Sequence, residues 1–179
     1  MNRKDSDGYI ILTNTQKQLI TQVTNSDFEP DLFGTLTFSN DPFNGKVNTF
    51  NKGSMQRQHS WVDGHISTLM CRLNKYYFGS RCLNKNKIDR KNLVQAIVSI
   101  EMHNLFYHVH FVAQTPKTKG NNQHDFRCNI QDYWQSLPYC DRARVQIDPI
   151  WWVDGAVAYI SKDFEKNDSL GYSKHTNFS

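Results

Sequence analysis

NLVQAIVSIEMHNLFYHVHFVAQ, residues 92–114, decides how this chain folds. Runs rich in β-branched and aromatic residues lie on either side of Asn104-Leu105, so 92–102 and 105–114 read as two strands close enough for a hairpin. A turn around Asn104-Leu105 sets Glu101 opposite His108, whether the loop has two residues or four. His108 and His110 are two positions apart on a strand and therefore share one face. Directly opposed residues carry Cβ atoms roughly 5 Å apart, which makes Glu101, His108 and His110 a candidate three-ligand metal site. Mixed imidazole and carboxylate donors with open positions suit Mn²⁺ or Mg²⁺ placed on a substrate phosphate, whereas a structural zinc would take a fourth protein ligand. The same pattern also fits a half-buried strand whose polar face satisfies the two histidines by ordinary hydrogen bonds.

Outward from the hairpin, the rest of the chain alternates between helical and extended patterns. Asn14 to Ser26 reads as a short helix with Leu19, Ile20 and Val23 inward, and DLFGTLTFS, residues 31–39, as a buried strand. Residues 41–53 read as loop. From Met55 to Phe78 the apolar residues Val62, Ile66, Leu69, Met70, Leu73 and Tyr77 fall on one helical stripe. After the hairpin and a flexible loop, Asp125 to Leu137 reads as a helix with Phe126, Ile130 and Trp134 on one side. Ala143 to Pro149 alternates like a strand, and Asp154 can N-cap a last helix to about Lys166. The first eight residues and the polar tail beyond Asn167 are expected to lack fixed structure. The order α-β-α-β-β-α-β-α implies an α+β fold with a mainly antiparallel sheet flanked by helices, in one domain whose core covers about 31–166.

That last helix carries the second chemical motif. Tyr159 and Lys162 stand at i and i+3, close together on a helix, and offer a nucleophile and a cation. A cation and a metal ion beside a phenol favour its ionised, nucleophilic form, and a lysine there can neutralise phosphate charge in a transition state. Val153, Val157, Ile160 and Phe164 form the stripe expected to pack on the sheet, with Tyr159, Lys162 and Lys166 on the opposite flank. In isolation, a tyrosine and lysine so spaced are more often a packing residue and a solvated charge.

With 179 residues, 38% hydrophobic and 13% aromatic, the chain has the material for one core. Its net charge of +4 is modest, but Arg72, Lys75, Arg81, Lys85, Lys87, Arg90 and Lys91 cluster in one segment with Asp89. That cluster reads either as a phosphate-tracking surface or as a solvated helix end and loop. Tyr76, Tyr77 and Phe78 interleave with it, though the helix stripe claims Tyr77. Trp151 and Trp152, just before the last helix, read as core rather than as base-stacking groups, by about three to one. Thr35 and Thr37 either face the site or serve sheet pairing. The four cysteines form no C-x-x-C pair and no secretory segment opens the chain, which implies a reducing, intracellular location. No apolar run approaches the ~18 residues of a membrane span, and no P-loop indicates a motor domain.

Taken in order, Phe33-Gly34-Thr35-Leu36-Thr37-Phe38, His108-Val109-His110 and Tyr159-x-x-Lys162 resemble the three motifs of the HUH endonuclease superfamily, in its single-tyrosine branch of rolling-circle replication initiators and related transposases. The resemblance covers roughly residues 31–166 and is specific as an ordered trio. It implies a sheet related to ferredoxin-like and RNA-recognition folds. It also implies that Tyr159 attacks a phosphodiester of single-stranded DNA, leaving a 5′-phosphotyrosine bond and a free 3′-hydroxyl, with Glu101 in the acidic metal-binding role. Partners implied are a single strand, an origin hairpin of a plasmid or virus, and a host helicase, in a bacterial or archaeal cytoplasm or a virus-infected cell. Asp163 stands where a two-tyrosine initiator carries its second tyrosine, and His103 fits a relaxase-type three-histidine cluster poorly. A second class of reading is a nucleic-acid-binding module of similar shape without catalysis. A metal-dependent hydrolase or cupin-like oxygenase is weaker, because no third ligand follows His110 at short spacing.

Overall fold

A computed structural model describes residues 11–38, 52–83, 92–103, 106–118, 120–140, 145–162 and 176–178. Eight regular elements follow one another: α1 (Asn14–Thr24), β1 (Leu32–Thr37), α2 (Lys52–Phe78), β2 (Ala96–His103), β3 (Phe106–Ala113), α3 (Gln123–Gln135), β4 (Val145–Pro149) and α4 (Val153–Ile160), with a 3-10 turn at Ser80–Leu83 after α2. The chain is α+β, and among the described residues its four strands form one antiparallel sheet in the order β2-β3-β1-β4. The hairpin register is the expected one, with Glu101 opposite His108 and Ser99 opposite His110. The turn residues 104 and 105 themselves lie outside the described residues.

Strand alternation divides the apolar residues between two faces. Leu36, Val98, Ile100, Val109 and Phe111 face one way and are buried by α2 through Val62, Ile66, Leu69 and Leu73, and by α3 through Phe126, Ile130 and Trp134. Gly34 lies on this face because any Cβ there would overlap the Phe111 ring. On the reverse face, Ile97 and Val112 are covered by Leu19 and Val23 of α1 and by Val157 and Ile160 of α4. Further along the same face come Ser99, Glu101, His108, His110, Thr35 and Thr37, in register across three strands. Ser99 and His110 are buried there, and Tyr159 at the end of α4 stands over the His110 ring.

One buried glutamine fixes α4 on the sheet. Gln16 closes a capping box at the start of α1: its backbone N–H donates to Thr13 Oγ1 at 3.2 Å, and its Oε1 accepts from the Thr13 N–H at 2.8 Å. Its amide Nε2 then donates to the Ala158 carbonyl at 2.7 Å, one residue before Tyr159. Gln16 is 2% exposed, so both ends of its amide must be satisfied within the protein.

Three expectations need correction. Helix α4 begins with Trp152 rather than Asp154 as N-cap, and Trp152 makes no side-chain capping bond. The helix ends at Ile160, where the Ser161 hydroxyl turns back to the Val157 carbonyl at 2.6 Å and competes with helix continuation. Phe164 and Lys166 lie outside the described residues. Finally, the tail is ordered at residues 176–178: Asn177 bridges Ala96 at the edge of β2 by two backbone bonds of 2.7 and 2.8 Å, and Phe178 packs on Phe28. Edge backbone groups of β2 would otherwise stay unpaired. The loop expected over 41–53 and the first eight residues are outside the described residues, apart from the start of α2.

Candidate active site

Strands β2 and β3 and the end of α4 bring five of the expected site residues together, His108, His110, Glu101, Tyr159 and Lys162. His108 and His110 project from β3 with rings nearly parallel, 12° apart, and centroids 6.3 Å apart. Tyr159, near the C-terminal end of α4, stands perpendicular to the His110 ring with centroids 5.3 Å apart. Tyr159 is 42% exposed, so an incoming group can reach the residue. Lys162 follows the helix by a tight turn, its N–H donating to the Tyr159 carbonyl at 3.2 Å. That turn preserves the closeness expected of a helical i, i+3 pair, and Lys162 Nζ lies 4.0 Å over the Tyr159 ring.

Glu101 joins these groups in a way the register alone does not dictate. It pairs across the strands with His108, yet its carboxylate reaches diagonally to His110 Nε2 at 2.8 Å. The same oxygen accepts from Lys162 Nζ at 2.9 Å. Two donors converge on one oxygen because Lys162 comes down from α4 on the His110 side. The three-ligand arrangement expected of Glu101, His108 and His110 is therefore not assembled as drawn from the register. Among the described residues, no three His, Cys, Asp or Glu side chains group to hold a metal ion.

Each histidine is held by a threonine of β1. Thr35 Oγ1 lies 2.9 Å from His110 Nδ1, and Thr37 Oγ1 lies 3.2 Å from His108 Nδ1. Neutral His110 donating from Nε2 to Glu101 must accept at Nδ1 from the Thr35 hydroxyl. Burial pushes the His110 pKa below its usual value, although Glu101 beside it works the other way. Glu101 is itself partly buried, which would raise its pKa, but the Lys162 ammonium and His110 outweigh burial and hold it below the ordinary carboxylate value. Burial would lower Lys162, and its bonds to Glu101 and Tyr159 more than offset that, so its pKa is raised. The site thus holds a neutral imidazole and a carboxylate–ammonium pair near neutral pH.

Several residues enter the site without a sequence signal strong enough to single them out. Phe33 stacks on His110 at 6.5 Å and meets Tyr159 edge-on at 5.6 Å, so it fills the space between strand and helix. Its place was legible only as an apolar strand residue. Thr35 and Thr37 face the histidines, which settles the alternative in favour of the site. Trp151 and Trp152 correct the sequence expectation: they are 94% and 63% exposed rather than core. They come just after β4, where the chain leaves the sheet before α4 begins, and the Trp152 ring lies against Gly155 in the first turn of α4.

The basic residues behave differently. Arg72 and Lys75 lie on α2, which packs on the face opposite the histidines, and Arg81 lies in the 3-10 turn that follows it. Arg72 donates to the Ser136 hydroxyl of α3. None of the three is brought to Tyr159. Lys85, Lys87 and Lys166 lie outside the described residues. The four cysteines are unpaired, and among the described residues no helix is long and apolar enough to cross a membrane. No protein-family model, curated protein or solved structure matches this chain.

Proposed function

We propose that this protein is a metal-dependent single-stranded DNA endonuclease of the HUH type, with Tyr159 as nucleophile, acting as a replication initiator for a plasmid or virus. The observation that carries the reading is the placement of an accessible phenol 5.3 Å, centroid to centroid, from His110, with Lys162 over its ring. Attack by the Tyr159 oxygen on phosphorus forms a phosphotyrosine ester and breaks the bond to the 3′-oxygen. The phenol proton is lost to water and the 3′-oxygen gains one. Because one ester replaces another, the strand can later be resealed. The Lys162 ammonium, 4.0 Å over the Tyr159 ring, would offset negative charge growing on the attacked phosphate.

The residues present suit a divalent ion in kind. Neighbouring ligands around an octahedral ion at 2.0–2.1 Å lie about 3 Å apart, close to the 2.8 Å between His110 Nε2 and Glu101. His108, its ring centroid 6.3 Å from that of His110, would be the third ligand. A bound Mn²⁺ or Mg²⁺ would supply Lewis-acid polarisation of the scissile phosphate. A ligand nitrogen must be unprotonated, so with Nε2 on an ion His110 would carry its proton on Nδ1 and donate it to Thr35 Oγ1, a hydroxyl that accepts as well as it donates. A host helicase or a preformed hairpin would supply the unpaired strand.

One observation favours the non-catalytic nucleic-acid-binding reading: Glu101 is engaged by His110 and Lys162, and among the described residues no three-ligand group is formed. A transposase of the same superfamily would use the same chemistry from an intertwined dimer. Incubating the protein with a labelled single-stranded oligonucleotide and Mn²⁺ separates nuclease from binder. A denaturant-resistant adduct that Tyr159→Phe abolishes, with binding retained, supports the nuclease. Binding without any adduct supports the module.

A further inference from the structure

We propose that Trp151 and Trp152 form a preset stacking platform for an unpaired base of the strand whose phosphate Tyr159 attacks, an assignment that rests on the nucleic-acid reading of the site. Trp151 and Trp152, at 94% and 63% exposure, each leave flat apolar indole surface in water, which folding alone does not reward. The backbone beneath them is fixed on both sides. Ile150 N–H donates to the Asp31 carbonyl at 2.9 Å, and the Trp152 carbonyl accepts from Ala156 N–H at 3.1 Å. Trp151 is therefore presented from an ordered segment.

Trp152 is directed along α4 by Gly155. Any Cβ at that position would overlap the six-membered part of the indole, so the ring lies against the helix backbone. Gly155 and Tyr159 are four residues apart and share one face of α4. The Trp152 indole, lying on Gly155, is therefore on the face that carries Tyr159, about 6 Å along the helix from it. The carboxylates that flank the pair in sequence, Asp148 and Asp154, are exposed and disfavour a phosphate here. What the indoles suit is the uncharged, flat face of a base, with the phosphate left to the Tyr159 and Lys162 end. Stacking of that kind is tolerant of sequence.

The test uses the full chain in EDTA, so that cleavage does not enter. Oligothymidylate and an abasic strand of equal length are titrated, reading indole fluorescence and the anisotropy of a labelled strand. The parent should be quenched by oligothymidylate and bind it more tightly than the abasic strand. Trp151→Ala and Trp152→Ala should each weaken binding roughly tenfold, with Trp→Phe retaining most of it. Alanine variants that bind as tightly as the parent, or equal affinity for both strands, would overturn the proposal. A parent dimer that the alanine variants dissociate, with DNA binding unchanged, would assign the pair to a contact between copies instead and also overturn it. Quenching without any covalent adduct under Mn²⁺ sinks the nuclease reading and leaves the platform standing, whereas adduct formation by alanine variants of undiminished affinity does the reverse.

Discussion

His110 and Glu101 are joined by a 2.8 Å bond although Glu101 sits beside His108 in the strand register. The carboxylate is drawn off its own row by the Lys162 ammonium, which shares the same oxygen at 2.9 Å. Both partners of that ion pair are about one-fifth exposed, at 19% for Glu101 and 20% for Lys162, so solvent screens it only in part. Glu101→Gln should therefore cost about 1–2 kcal/mol in urea unfolding. It should also weaken Mn²⁺ binding by at least tenfold in calorimetry. An unchanged metal affinity would remove Glu101 from the ligand set.

The pKa directions set the sign of the pH dependence. His110 is depressed below its ordinary 6.5, so the unfolded chain takes up its proton first as pH falls. Its contribution to stability is full above about pH 6.5 and is lost as pH drops through the folded value. Glu101 is depressed below 4.5 and adds a second loss at lower pH, again as pH falls through its folded value. Lys162 is raised, so its contribution is full below about pH 10.5 and is lost only as pH rises beyond that. Urea midpoints should decline as pH falls below about 6.5 and again below about 4.5, and separately as pH rises beyond about 10.5, while the His110 ring resonances should titrate below pH 6.5. Titration of His110 above that value would contradict the burial argument.

Thr35→Val keeps the shape of β1 and removes the hydroxyl from His110 Nδ1. Second-layer partners of histidine ligands are typically worth 10–100-fold in metal affinity, and a loss in that range is expected from Mn²⁺ titration. Thr35→Ser should restore most of it. Equal binding by Thr35→Val would show that the hydroxyl does not orient the ring.

Gln16→Leu tests the anchoring of the nucleophile from a distance. It removes the α1 capping acceptor and leaves the Ala158 carbonyl without its 2.7 Å donor. A loss of about 2–3 kcal/mol is expected. Amide exchange of α4 should quicken more than that of the sheet, because the lost bond lies one residue from Tyr159. Uniform acceleration would mean that Gln16 stabilises the fold without positioning α4.

Most of the architecture was legible because periodicity and turn length are local properties. The hairpin register follows from where the turn falls, and the stripe of Val62, Ile66, Leu69 and Leu73 follows from helical spacing. Those same local signals located His108, His110, Glu101, Tyr159 and Lys162. What they could not reveal was how side chains choose between neighbours. The diagonal bond of Glu101 depends on Lys162 arriving from a different element, and Gln16 links positions 142 residues apart. Trp151 and Trp152 were read as core because large apolar residues usually are. Their exposure follows from the chain leaving β4 at the sheet edge, which composition does not encode. The basic cluster was visible, but the helix that carries Arg72 and Lys75 packs on the far face of the sheet.

The central claim is that the Tyr159 oxygen becomes covalently bonded to DNA phosphate. Its most direct test is mass spectrometry of peptides from protein incubated with a single-stranded oligonucleotide and Mn²⁺, after nuclease trimming. The account predicts one modified peptide, spanning Tyr159 and carrying a nucleotide through a 5′-phosphate, with none formed by Tyr159→Phe. A nucleotide attached to another residue, or cleaved strands with no attached peptide, would contradict it.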